Sequence, residues 1–120
     1  MTKDRNKQWG ELSYQLQQAA KQSDWQKMES IYREQASILR KEKRNAFQPL
    51  KEAMRCNLMH AKSQGIKSVT VMTSGDDRVC PKCRELEGKL FTIDRALERM
   101  PLPVECKEDW CRCVYTYEMR

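Results

Sequence analysis

The chain has 120 residues, six cysteines and a formal net charge of +6, which suits one ordinary domain or two very small ones. A unit of half this size is only marginally stable unless a metal ion or a covalent cross-link holds it together. No run of about 18 apolar residues is present, and residues 1–6 lack the apolar segment of a signal peptide, so we expect no membrane span and a cytoplasmic location. The positive charge is concentrated in residues 1–67, with 14 Lys and Arg against 7 Asp and Glu, whereas residues 68–120 hold 9 against 10.

Two helices are predicted in the first third of the chain. The first extends from Asp4 to about Gln22, because its apolar residues recur at spacings of three and four. Those residues are Trp9, Leu12, Leu16, Ala19 and Ala20. The second helix has an apolar stripe from Trp25 to Leu39, with Ser23 predicted as its N-cap and Gln26 completing a capping box. Because the link between them is short, the two helices are expected to form an antiparallel hairpin.

A third helix is predicted between Asn45, which can cap it, and Gly65, which can end it as a C′ residue. Its apolar face consists of Phe47, Leu50, Met54, Leu58 and Ala61. An alternative is one long helix that combines the second and third and kinks near Pro49. Trp9, Trp25 and Tyr32 either fill a core between helices or form a surface for a partner.

Two reactive residues of the third helix are interpreted as structural. Cys56 lies on the side of the helix opposite the apolar face, so it is left out of the metal site and interpreted as a small, partly buried thiol. His60 is the only histidine of the chain. A single helical histidine is more often a surface or packing residue than a ligand or a catalyst.

After Gly65 the pattern changes to β-branched residues. Residues 66–73 predict a strand, and a helical turn is expected to lead from Cys83 to Leu86. A short strand at 89–91, a short helix at 94–100 that ends at Pro101, and a final strand at 111–117 complete the pattern. The sequence therefore predicts the α+β class, with a helical region over residues 1–67 and a small zinc-clipped β module over 68–120.

Five of the six cysteines lie between residues 80 and 113, in two clusters about twenty residues apart. Cys80 and Cys83 have the two-residue spacing of a zinc knuckle, and Cys106 and Cys111 are four apart, within the usual range. Cys113 is an alternative fourth ligand to Cys111, since residues i and i+2 of a strand share a face. Reduced cytoplasmic thiols favour metal over disulfides. We therefore expect one structural Zn²⁺, with no open position for catalysis.

The same region resembles a known family. The run from Asp77 to Phe91 reads D-R-V-C-P-K-C-R-E-L-E-G-K-L-F, and Pro101-Leu102-Pro103 and Cys111-Arg112-Cys113 follow in order. This combination resembles the C-terminal signature of phage head-morphogenesis (minor head) proteins of the Mu F type. The family histidine is replaced by Cys106, and the spacer after it is two residues longer.

The resemblance covers about residues 74–114 and implies a metal-bound fold of phage or mobile-element origin. It further implies that Gly88 permits a tight turn after the first knuckle and that Asp77 and Arg78 lie beside the site.

Two functions are compatible with these features. The first is a zinc-binding interaction module that acts through protein partners. The alternative is weak, sequence-independent nucleic-acid binding by a basic helical surface. That surface would consist of Arg40, Lys41, Lys43, Arg44, Lys51, Arg55 and Lys62.

An enzyme is not expected. The Cys-Pro-Lys-Cys motif is similar to a glutaredoxin-type redox site, but only 37 residues follow Cys83, too few for the rest of a thioredoxin-like sheet. No His, Ser or carboxylate constellation indicates a hydrolase.

Overall fold

The computed structural model of the chain describes residues 3–73, 80–104 and 113–117. Their α+β architecture confirms the predicted fold class. The elements are α1 (Lys3–Lys21), α2 (Trp25–Lys41), α3 (Phe47–Ser63), β1 (Ser68–Met72), α4 (Pro81–Leu86), β2 (Leu90–Thr92), α5 (Ile93–Arg99), α6 (Pro101–Val104) and β3 (Val114–Tyr117). None of the helices in these ranges combines the length and apolar character needed to cross a bilayer.

The chain divides into two compact units, Met1–Asn57 and Leu58–Arg120. The division falls inside α3, which therefore supplies residues to both units. The domain boundary predicted between residues 67 and 68 stays a prediction.

In the first unit, α1 and α2 form an antiparallel hairpin around an apolar core. The buried residues of this core are Leu12, Ala19, Ile31 and Ile38, and Trp9, Leu16 and Met28 pack against them. The side-chain amide of the buried Gln35 donates a hydrogen bond to Ser13 Oγ across the hairpin, at 3.4 Å. Trp9 is therefore part of the core, one of the two roles that its sequence position allowed.

The ends of the helices correct one prediction. Ser23 does not cap α2, because it adopts φ = +52° as the C′ residue of α1. Its N–H donates to Ala20 O and the N–H of Asp24 donates to Ala19 O, which is the Schellman pattern. Asp24 is the N-cap instead, and its carboxylate accepts from the N–H of Lys27 at 3.2 Å.

The helices α2 and α3 are separate, which decides between the two alternatives for this region. Lys43 has φ = +57°, and the N–H groups of Lys43 and Arg44 donate to Arg40 O and Leu39 O, so α2 also ends in a Schellman turn. Asn45 Oδ1 accepts from the N–H of Phe47 at 2.8 Å, in agreement with its predicted capping role.

In the second unit, the three strands within the described residues form an antiparallel sheet in the order β2-β1-β3. Val69 pairs with Phe91 on one side and Tyr117 on the other, and Val71 pairs with Tyr115. Val69, Val71, Phe91 and Tyr115 are buried and define the inner face. The outer face carries Thr70 and Thr116, which share a hydrogen bond, together with exposed apolar side chains. The predicted strands at 66–73 and 89–91 match β1 and β2; of the final predicted strand, residues 111–112 lie outside the described residues.

A glycine comparison tests the end of α3. Gly65 has φ = +84°, and the N–H groups of Gly65 and Ile66 donate to Lys62 O and Ala61 O. Gly65→Ala should destabilise the protein by about 1 kcal/mol, because a Cβ is disfavoured in the left-handed region. The matched control is Gly10→Ala in α1, where a Cβ would meet nothing within 4 Å. It should stabilise by about 0.5–1 kcal/mol through helix propensity. Urea unfolding measures both, and a stabilising Gly65→Ala would contradict the assignment.

Candidate metal centre

The first cysteine pair is placed by the short helix α4. Pro81 begins this helix, where its fixed φ suits the first helical position, and Cys80 precedes it as the N-cap residue. The carbonyl of Cys80 accepts from the N–H of Arg84 at 3.0 Å. Cys83 and Leu86 are three residues apart in α4 and share one face of the helix, and Cys80 is the residue before it. Both thiols are buried: the exposed fraction is 2% for Cys80 and 0% for Cys83.

Backbone contacts hold the end of α4 beside the end of β1. The N–H of Gly88 donates to Val71 O at 2.9 Å, and Glu87 forms an isolated bridge with Val71. Thr73 Oγ1 also donates to the Glu87 carboxylate at 2.8 Å. Gly88 has φ = +77°, a conformation that favours glycine and permits the turn from α4 to β2. The end of α4 is thus fixed close to the sheet.

Cys113 approaches the same end of β1 from its other side. It directly precedes β3, whose first residue, Val114, pairs with Met72 at the end of β1. Because side chains alternate along a strand, Cys113 lies on the face of the buried Tyr115, and its own exposed fraction is only 4%.

Three of the predicted ligands lie among the described residues, and all three are buried. Among the described cysteines, Cys80, Cys83 and Cys113 are thiols and not disulfides. Within residues 3–73, 80–104 and 113–117, no three His, Cys, Asp or Glu side chains are grouped closely enough to hold a metal. The other predicted ligands, Cys106 and Cys111, lie outside these ranges, as do Asp77 and Arg78. The choice between Cys111 and Cys113 as fourth ligand therefore stays a prediction.

A tyrosine that the sequence did not single out connects the two sides of the second cysteine cluster. The Tyr115 hydroxyl donates to Leu102 O and accepts from the N–H of Leu102, both at 3.0 Å. Leu102 is fully buried and lies in α6, whose last residue, Val104, is two positions before Cys106. Tyr115 lies two positions after Cys113. One side chain therefore links the backbone that enters the cluster to the strand that leaves it.

Cys56 and His60 both lie on α3. Cys56 is buried in α3, and this burial, with the charges of Glu52 and Glu29, raises the pKa of its thiol to about 11. A thiol with that pKa is protonated at neutral pH, and metal binding requires the thiolate. His60 is half-buried, and its carbonyl accepts from Ser63 Oγ at 2.6 Å.

The predicted basic residues differ in their surroundings, and a common nucleic-acid-binding surface stays a prediction. Arg40, Lys41, Lys43 and Arg44 are exposed where α2 ends. On α3, Lys51 is half-buried, and Arg55 Nε lies 4.0 Å from the Glu52 carboxylate. Lys62 Nζ lies 2.7 Å from the Asp94 carboxylate. The predicted cations therefore differ in exposure and in the ion pairs that they form.

Comparisons of the chain with protein-family models, curated proteins and solved structures found no match. The resemblance to phage head-morphogenesis proteins therefore depends on the sequence motifs alone.

Removing one oxygen atom tests the Tyr115 contact. Tyr115→Phe should destabilise the second unit by about 1–3 kcal/mol, because it leaves the buried N–H and carbonyl of Leu102 without that partner. The matched control is Tyr14→Phe on α1, where the side chain is 64% exposed and little change is expected. Thermal unfolding measures both variants, and equal stabilities would show that the Tyr115 contact carries no net stabilisation.

Proposed function

We propose that this chain is a small zinc-stabilised interaction module that acts through protein partners. One Zn²⁺ would be held by Cys80, Cys83 and Cys106, with Cys111 or Cys113 as the fourth ligand. The observation that carries the proposal is the pair of buried thiols at the start of α4, a helix held beside the end of the central strand.

Metal binding gives this pair a physical purpose. A tetrahedral structural zinc site needs thiolates that converge from two short segments, and a two-residue spacing lets one turn supply two of them. Zinc with four thiolates carries a net charge of about −2. Lys82 and Arg84 directly flank Cys83 in the chain, and their positive charges lower the electrostatic cost of the thiolates.

The burial of both thiols supports a structural role over thiol redox chemistry. Exchange with another disulfide needs an accessible thiolate, whereas Cys80 and Cys83 have exposed fractions of 2% and 0%. Four thiolate ligands would also leave no coordination position for a substrate or an activated water. The zinc would thus contribute folding free energy.

The outer face of the sheet supports the interaction part of the proposal. Met72 and Val114 are cross-strand neighbours there, with exposed fractions of 50% and 39%, and Leu90 on β2 is 61% exposed. Neighbouring exposed apolar side chains are typical of surfaces that contact other proteins. The ordered motifs shared with phage minor head proteins favour a phage or mobile-element origin.

Elemental analysis of the full chain, purified without chelator, tests the zinc site. We expect about one zinc per chain for the wild type and a large loss in Cys83→Ser, because one lost thiolate opens the tetrahedral site. Cys56→Ser is the matched control, since Cys56 is a buried thiol outside the predicted ligand set. Less than about half an equivalent in the wild type, or an equal loss in Cys56→Ser, would refute the proposal.

A second pair of variants identifies the fourth ligand. Cys111→Ser should release zinc to a chelator as readily as Cys83→Ser, because the four-residue spacing from Cys106 suits a knuckle. Cys113→Ser should have a mild effect. The measurement is the rate of zinc transfer to a coloured chelator, and the reverse order of the two variants would assign Cys113 as the ligand.

A further inference from the structure

An ion pair joins two segments of the helical hairpin that are rich in positive charge. Arg5, near the start of α1, pairs with Glu42, just after the end of α2. The hydrogen bond from the Arg5 guanidinium lowers the pKa of the Glu42 carboxyl, which therefore stays ionised and engaged. The pair brings the start of α1 beside the end of α2. We call the cations at this place the basic end, and it consists of Lys3, Lys7, Arg40, Lys41, Lys43 and Arg44.

The two segments that form the basic end contain few acidic residues. All six cations of the basic end are exposed. Within residues 3–7 and 40–44 the only carboxylates are Asp4 and Glu42, and Glu42 is already engaged by Arg5.

Local stability does not account for this arrangement. The helix dipole favours Arg40 and Lys41 in the last turn of α2, but it disfavours Lys3 in the first turn of α1. Lys43 occupies the left-handed C′ position, with φ = +57°, where glycine is the usual residue. Cations at positions where they lower stability indicate a function for the charge.

The exposed side of α1 carries an aromatic ring in line with Lys3 and Lys7. Lys3 and Lys7 are four residues apart and Tyr14 is seven further on, so the three side chains lie on one side of the helix. Tyr14 is 64% exposed, the highest value among the large apolar side chains of the described residues. Gly10 lies on the same side between Lys7 and Tyr14, and a Cβ there would meet nothing within 4 Å. The exposed Glu11 lies on this side too, four residues after Lys7 and three before Tyr14.

We infer that the basic end and Tyr14 bind a single-stranded nucleic acid, with the cations on the phosphates and one base stacked on the Tyr14 ring. Such binding combines counterion release with stacking that tolerates any base, so it is sequence-independent. This inference uses the first unit alone and does not depend on zinc.

Fluorescence anisotropy with a labelled oligodeoxythymidine, over a series of salt concentrations, tests the inference on the full chain. The double variant Lys41→Gln, Lys43→Gln should bind more weakly and reduce the salt slope by about 0.7 per lost phosphate contact. The matched control is Lys21→Gln, Lys27→Gln, which removes two exposed cations from the opposite end of the same hairpin. The control should keep the wild-type slope.

Tyr14 variants separate stacking from charge. Tyr14→Ala should weaken binding roughly tenfold with an unchanged salt slope, whereas Tyr14→Phe should bind like the wild type because its ring can still stack. Equal losses in the two lysine variants, or no binding to the oligonucleotide at low salt, would overturn the inference. Binding to phosphatidylserine vesicles without binding to the oligonucleotide would overturn it too and would assign the basic end to a membrane surface.

Discussion

A sheet with strands of five, three and four residues cannot by itself bury enough apolar surface for independent stability. The second unit of this protein is built on such a sheet. Only a few side chains are buried on its inner face, among them Val69, Val71 and Tyr115. The unit therefore needs a further source of stability. Small units usually obtain it from disulfides or from a metal ion. The spacing of the two cysteine clusters in this unit fits a metal ion, as proposed above.

Several contacts of the second unit order the segments next to its cysteines. Cys80 and Cys83 are buried at the start of α4, and the N–H of Gly88 joins the turn after that helix to β1. Tyr115 then ties α6 to β3, on either side of the second cysteine cluster. Under the proposal, zinc binding and the formation of these contacts would be coupled, because the free energy of binding a structural metal is also folding free energy.

Local signals in the sequence predicted most of the helices and strands. Contacts between residues that are distant in the chain could not be predicted from it. Asn45 and Gly65 have the conformations that their residue types favour, and the alternation in residues 66–73 matches β1. Ser23 lies between the end of α1 and the start of α2, so its residue type alone does not decide its role. Its left-handed conformation as the C′ residue of α1 excludes it from capping α2. The Tyr115 contact could not be predicted, since its partner is a backbone group of a residue whose type carries no signal. The ion pair between Arg5 and Glu42 joins residues too far apart in the chain for periodicity to reveal. Of the candidate ligands, the burial of Cys80, Cys83 and Cys113 is established, and their coordination of a metal stays a proposal.

Native-state hydrogen exchange tests most directly the claim that zinc maintains the order of the sheet. Backbone amides of β1 and β3 are compared with those of α1 and α2, before and after a chelator removes the metal. If the claim is right, the strand amides exchange at rates near those of an unfolded chain after chelation, while the hairpin amides keep their protection. Strand amides that remain protected in metal-free protein would contradict it.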